Sequence, residues 1–134
     1  MNKTIAWLGL TTLLAACAGG NDAAEDKVER EAAASARSAG AAVAALGLTE
    51  AQLLDADLRG PGGIELGDIT QVLHGQDGKV DRLLVEIEDS KPDRYVHVPL
   101  AGLTTVARGA ETDLATALTR EQLMALPEIK LTSP

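Results

Sequence analysis

The second half of the chain alternates apolar and polar residues with the two-residue period of a β-strand. Leu83, Val85 and Ile87 share one parity of such a stretch. Because successive strand side chains point to opposite faces, these three are predicted to face a core. The outward set of this strand is Arg82, Leu84, Glu86 and Glu88.

Turn signals recur at short intervals after residue 53 and predict a mainly β domain. Asp77-Gly78 separates two apolar-rich runs and predicts a hairpin, because the pair tolerates the positive φ of a type I′ turn. The apolar parity changes after Leu66, which predicts a bulge near Gly67. The predicted strands are residues 53–58, 64–74, 79–88, 94–98, 103–107 and 112–116.

A short helix is predicted after the last strand. Thr119 is followed three residues later by Gln122, which is the spacing of a capping box, and Pro127 ends the helical stretch. The same pattern, a Thr followed three residues later by a Gln, begins at Thr49 and predicts a second helix start.

Residues 17–48 have a different composition and are predicted to form a tether. They consist mainly of Ala, Gly, Ser and charged residues, with few larger apolar side chains. Residues 26–36 are good helix formers, but Gly40 and Gly47 interrupt the pattern and no wide apolar face develops. We therefore expect a flexible or partly helical spacer that buries no core, with a binding element as the alternative.

The first sixteen residues have the layout of a secretory signal. Lys3 precedes a short apolar run that is too short to span a bilayer. The junction Leu14-Ala15-Ala16-Cys17 resembles the lipobox of bacterial lipoproteins, in which the Cys receives lipid. This resemblance implies that residues 1–16 are removed and that Cys17, the single Cys of the chain, becomes the membrane anchor.

The residue after the anchor suggests where the mature protein resides. The resemblance to lipoproteins implies a cell-envelope location facing the periplasm. Ala18 follows the Cys where Asp would favour retention in the inner membrane, so the outer membrane is the expected site.

Charge and aromatic content narrow the possible partners. The chain has 20 acidic and 12 basic residues, and removal of Lys3 with the signal leaves 11 minus 20, a net charge of −9. Nucleic acid is excluded as an expected partner because the few basic residues are dispersed among carboxylates. Trp7 also leaves with the signal, so Tyr95 becomes the single aromatic residue.

Five segments between residues 53 and 129 occur in an order and spacing that are typical of one family. They are LDADL at 54–58, LGDI at 66–69, DGKV at 77–80, VHVPL at 96–100 and LTREQL at 118–123. On these segments, residues 53–129 resemble the PRC-barrel family. The resemblance implies a small, mainly antiparallel β-barrel with a terminal helix, placed here in a domain covering residues 49–134. It also implies a docking or assembly role without shared catalytic residues.

Two groups of residues are candidates for chemistry. His74 and His97 could meet across a barrel and bind a metal with a carboxylate such as Asp81 or Glu86, but two solvent-facing polar residues are the simpler interpretation. Asp55 and Asp57 would share a face of the first predicted strand, as an acid–base pair does, although many strand faces are simply solvated. No catalytic residue, metal ligand or cofactor is therefore expected.

The sequence predicts a lipid-anchored, non-enzymatic interaction or scaffold module with an envelope protein as its partner. The alternative is a periplasmic protein that binds a metal or small ligand. If Val96 and Val98 point inward, alternation places Tyr95 and His97 outside, where an exposed Tyr suits an interface. The competing interpretation packs Tyr95 against a neighbouring strand or under the terminal helix.

Overall fold

A computed structural model describes residues 22–132, so the signal and Cys17 lie outside the described part. Three α-helices are present there: Asp22–Ala39 (α1), Glu50–Leu54 (α2) and Arg120–Met124 (α3), with one short 3₁₀ helix at Pro61–Gly63. The strands are Val43–Ala45 (β1), Leu48–Thr49 (β2), Asp57–Arg59 (β3), Glu65–His74 (β4), Val80–Ile87 (β5), Arg94–Pro99 (β6), Thr104–Arg108 (β7) and Glu111–Ala115 (β8). The prediction of a mainly β protein with a short C-terminal helix is confirmed.

Six of the strands form one mixed sheet in the order β6-β5-β4-β3-β8-β7. Strands β3 to β6 are an antiparallel meander, but β3 and β8 run parallel, with Leu58 beside Leu114. Four of the five strand pairings in this sheet are antiparallel, as the mainly antiparallel expectation requires, and the β3–β8 pairing is the exception. The chain crosses from β6 to the far side of β3, and the β7–β8 hairpin joins the sheet there. Within residues 22–132, β6 and β7 remain at opposite ends of the strand order and no closed barrel is found.

One aliphatic core cluster is shared by strands of the six-stranded sheet. Leu83, Val85 and Ile87 of β5 are fully buried in it, which confirms their predicted inward orientation. Leu58 of β3 and Leu114 of β8 share the same cluster, so both halves of the sheet contribute to it. This shared core holds the parallel pair and the meander together.

Strand β4 contains the expected irregularity. Leu58 pairs with Gly67 while Arg59 pairs with Glu65, so Leu66 is an extra residue and the bulge predicted near Gly67 is confirmed. A Cβ at Gly67 would lie 2.2 Å from the carbonyl oxygen of Glu86, and glycine is required by this close approach of two backbones. A second shift between Ile69 and Gln71 was not predicted.

The segment expected as a tether is largely a packed helix. Helix α1 buries Ala24, Val28 and Ala32, which recur every four residues and therefore share one helix face. The stripe is narrow, but small side chains let the helix approach the sheet closely, and the Ser35 hydroxyl donates a hydrogen bond to buried Glu50 of α2. The expectation of a partly helical segment is confirmed at Asp22–Ala39. The expectation that this segment buries no core is wrong there, because Val28 belongs to a hydrophobic cluster with Leu84 and Tyr95.

The first predicted strand is also partly helical. Both capping boxes are present, with Thr49 accepting from the Gln52 backbone and Thr119 accepting from that of Gln122. Helix α2 therefore occupies Glu50–Leu54, and β3 begins at Asp57. The capping signal at Thr49 dominates the local structure here, and the strand interpretation of residues 53–58 holds for the last part alone.

The two ends of the sheet differ in what covers them. The N–H of Ile129 donates to the carbonyl of Tyr95 at 2.8 Å, and Val96 bridges Glu128, so the C-terminal segment lies along the edge of β6. At the other end, all five residues of β7 are exposed. Strand β7 is thus the open edge of the described sheet.

Candidate functional site

Tyr95 lies on the outward face of β6, as alternation predicts, but it is buried. Only 5% of the residue is exposed, because Val28 of α1 and Leu84 of β5 pack in the same cluster, with Ile129 and Leu131 beside them. The expectation of an exposed aromatic contact is therefore wrong. The contact with Leu84 of the neighbouring strand β5 agrees with the competing interpretation, whereas the cover from α1 and the C-terminal segment was not predicted.

His97 is the other residue of the predicted partner surface. It lies on the outward face beside Leu84 and is half-buried, and burial together with nearby Arg82 lowers its pKa below the ordinary value for histidine. A surface patch formed by Tyr95 and His97 together is absent, since α1 covers one of its two members.

The two histidines are too far apart to share a metal. His74 lies at the end of β4 opposite Val80, whereas His97 lies on β6, with β5 between the two strands. Strands two apart are separated by about 10 Å, and the histidines are also displaced along the strands. In the part of the chain that the structure describes, the one carboxylate, His or Cys grouping with metal-ligand spacing contains neither of them.

Asp55 and Asp57 do not share a strand face. Asp55 is the C-terminal cap of α2 and is exposed, whereas Asp57 begins β3 and lies beside Arg59 and Arg108. The predicted geometry of an acid–base pair is therefore wrong, because the chain leaves a helix between these two residues.

A buried ion network connects the β7–β8 hairpin to β3. The Asp113 side chain is fully buried and accepts from Nε of Arg59 and from Nε of Arg108, each at 2.7 Å. It also accepts from the Asp57 backbone N–H at 3.1 Å. Burial alone would raise the pKa of Asp113, but the hydrogen bonds from Arg59, from the Asp57 backbone and from Arg108 outweigh it and hold that pKa below its usual value.

Three carboxylates lie beside this network. Oxygen atoms of Asp57, Glu65 and Asp68 are within 4.8 Å of one another. Burial, followed by the neighbouring Asp57 carboxylate, raises the pKa of Asp68. Such oxygen donors suit hard divalent cations, although the neighbouring Arg59 and Arg108 already offset part of the negative charge.

An acidic cleft of about 400 Å³ lies between part of α1 and the sheet. Glu25 and Glu29 line it from the helix, and Asp68 and Glu86 line it from the strands, with Tyr95 alongside. Burial raises the pKa of Glu86, and the carboxylates of Asp93, Glu25 and others raise it further. One oxygen of Glu25 is buried without a hydrogen-bond partner. The cleft therefore concentrates negative charge where α1 meets the sheet.

The sequence signals for these features differ in strength. The four-residue spacing of Ala24, Val28 and Ala32 is a signal for α1 packing that could have been used. Asp113 and Arg59 lie 54 positions apart and meet through the parallel β3–β8 pair, for which no local pattern exists. The ion network was therefore outside the reach of sequence reasoning.

No protein-family model matches the chain, and no curated protein matches it. Within residues 22–132, no helix combines the length and the apolar character needed to cross a membrane.

Proposed function

We propose that this protein is a lipid-anchored module of the bacterial cell envelope whose domain mediates protein interaction or scaffolding without catalysis. The observation that carries the proposal is the lipobox-like Leu14-Ala15-Ala16-Cys17, placed directly after a short apolar run. Helix α1 begins at Asp22, five positions after Cys17.

The proposed fold type is the PRC-type barrel. The antiparallel meander of β3 to β6, the core shared with β8 and the capped helix after the last strand support this assignment. Family members commonly serve as docking or assembly modules, which favours an interaction role over an enzymatic one.

The length between anchor and domain restricts how the domain meets its partners. Five residues span at most about 18 Å, so the start of α1 stays near the lipid surface. Helix α1 and the C-terminal segment already cover the outer face around Tyr95. Strand β7, whose five residues are all exposed, is therefore the better candidate for contacts with other molecules.

The anchor is tested by metabolic labelling with palmitate and by membrane fractionation. We expect the wild-type chain to be labelled and to fractionate with the outer membrane, while Cys17→Ser is neither labelled nor processed. Ala18→Asp is the matched control: it should remain labelled but move to the inner membrane. A soluble, unlabelled wild-type protein would overturn the proposal.

The ligand-binding alternative is tested on the same purified protein. A saturable rise in melting temperature with Ca²⁺ or Mg²⁺ that is lost in Asp68→Asn would favour a metal-binding protein, because Asp68 belongs to the carboxylate group beside β3. A melting temperature that is insensitive to both cations, together with one stoichiometric protein crosslinked in intact cells, would favour the interaction module.

A further inference from the structure

The direction of backbone groups in β7 follows from its neighbours. The N–H of Thr116 donates to the carbonyl of Arg59 at 2.8 Å, so the chain at the end of β8 bonds toward β3 at this even-numbered position. Because backbone groups alternate in direction along a strand, the odd-numbered residues 111, 113 and 115 bond toward β7. Their partners in β7 are Arg108, Val106 and Thr104.

The remaining two residues of β7 point away from the hairpin. Thr105 and Ala107 therefore direct their N–H and C=O groups to the open side of the strand. No other segment within residues 22–132 bonds to these groups, and Val106 between them is 40% exposed. The two-residue turn after Arg108 has Gly109 at φ +59°, which suits a type II′ turn and keeps the strand extended to its end.

We propose that β7 is a strand-pairing edge and that its occupant is β7 of a second copy of this chain. An antiparallel arrangement with a two-fold axis at Val106 places Thr105 opposite Ala107 of the second copy. Both residues have their backbone groups on the open side, so each of the two symmetric pairs exchanges both of its hydrogen bonds. The same edge on both copies is therefore self-complementary.

The side chains of β7 are compatible with this pairing. The strand contains Arg108 and no carboxylate. In the proposed register Arg108 lies opposite Thr104 of the second copy, so no like charges face each other across the new pair. The Arg108 guanidinium stays in its ion pair with Asp113 of its own chain.

The small contact area predicts a weak dimer, whose formation is favoured when both copies are held on one membrane. A five-residue strand edge is far smaller than the roughly 1,200 Å² of a stable interface. Two copies held on one membrane reach a high effective concentration. This strengthening rests on the proposed lipid anchor, whereas the pairing register does not.

The test is disulfide formation in the mature lipidated protein, reconstituted in vesicles of phosphatidylethanolamine and phosphatidylglycerol. Val106→Cys would place two thiols on the axis, at a non-hydrogen-bonded pair with Cα atoms about 4.5 Å apart, within disulfide range. Gln76→Cys, exposed in the β4–β5 turn, is the control for random collision. Dimer formation at least tenfold faster for Val106→Cys is expected, and equal rates would overturn the proposal.

A second pair of variants separates strand pairing from simple proximity. In the Val106→Cys background, Thr105→Pro removes one outward N–H, whereas Thr105→Ala keeps it. The Pro variant should fall to the Gln76→Cys rate while its circular dichroism and melting temperature stay near wild type, and the Ala variant should remain fast. A folded Pro variant that still crosslinks rapidly would contradict pairing through β7.

Vesicle flotation tests the lipid anchor independently of the crosslinking rates. If the protein does not float, the proposed function fails, and the same variants are compared in solution at about millimolar concentration with Cys17→Ser added. Val106→Cys must still outpace Gln76→Cys there, and equal rates would overturn the pairing proposal by itself.

Discussion

The two edges of the six-stranded sheet differ in whether another segment covers them. Strand β6 is covered by the C-terminal segment, through the Ile129 hydrogen bond to Tyr95 and an ion pair of Arg94 with Glu128 at 3.4 Å. Strand β7 is covered by nothing in residues 22–132. Unpaired edges invite strand addition, and natural proteins usually protect them. One edge is thus closed by the chain itself, while the other is left available.

The two edges are also held by different forces. The β6 side combines apolar packing around Tyr95 with a partly exposed ion pair, whereas the β7–β8 hairpin is joined to β3 through the fully buried Asp113 carboxylate between Arg59 and Arg108. Apolar packing changes little with pH, but an ion network does. The stability contributed by the β7–β8 side should therefore depend more strongly on pH than the stability contributed by the β6 side.

The largest effect is expected from Asp113→Ala. The change leaves Arg59 and Arg108 without their shared acceptor and should lower the free energy of unfolding by about 3–4 kcal/mol, measured by urea denaturation. Glu111→Ala is the control, because it removes an exposed partner of the same Arg108 and should cost about 0.5 kcal/mol or less. Similar losses for both variants would show that the hairpin is not held by the buried carboxylate.

The same carboxylate predicts a pH dependence. Its pKa is lower in the folded than in the unfolded state, so its stabilisation is complete above the unfolded pKa and is lost as pH falls through the folded one. The stability difference between wild type and Asp113→Ala should therefore be constant above about pH 5 and narrow below about pH 4. A difference that grows on acidification would contradict the network.

Deletion of residues 128–134 is expected to cost about 2–3 kcal/mol, because Ile129 and Leu131 no longer cover Tyr95. With Trp7 in the signal, Tyr95 is the one fluorophore of the mature chain, so acrylamide quenching reads its exposure directly. Quenching should rise markedly in the deletion variant. Lys130→Ala, at an exposed site in the same segment, should change neither stability nor quenching. Unchanged quenching after the deletion would show that Tyr95 has another cover.

Proline at each edge gives the smallest and most discriminating effects. Ile129→Pro removes the donor to Tyr95 and disturbs packing, so it should lower stability by about 1–2 kcal/mol. Thr105→Pro removes an N–H that has no partner within residues 22–132 and should cost about 0.5 kcal/mol or less. Equal losses in chemical denaturation would mean that the β7 edge is not open.

The local signals in the sequence were sufficient for the elements that depend on neighbours in the chain. The alternation in β5 placed Leu83, Val85 and Ile87 in the core, and the two capping boxes marked α2 and α3. The change of parity around Gly67 located a bulge. These features follow from the period of a strand and from hydrogen bonds between residues three apart, and both can be recognised in a short stretch of sequence.

Tertiary structure alone decided which residues that are far apart in the sequence come into contact. The narrow stripe of Val28 and two alanines has little apolar surface by itself, and it became a packed face only because Tyr95 and Leu84 lay opposite. Asp113 met Arg59 because β8 joined the sheet parallel to β3. The sequence determined the strands and caps, whereas the order of strands determined the covered edge, the ion network and the open edge, because each depends on residues that only the complete fold brings together.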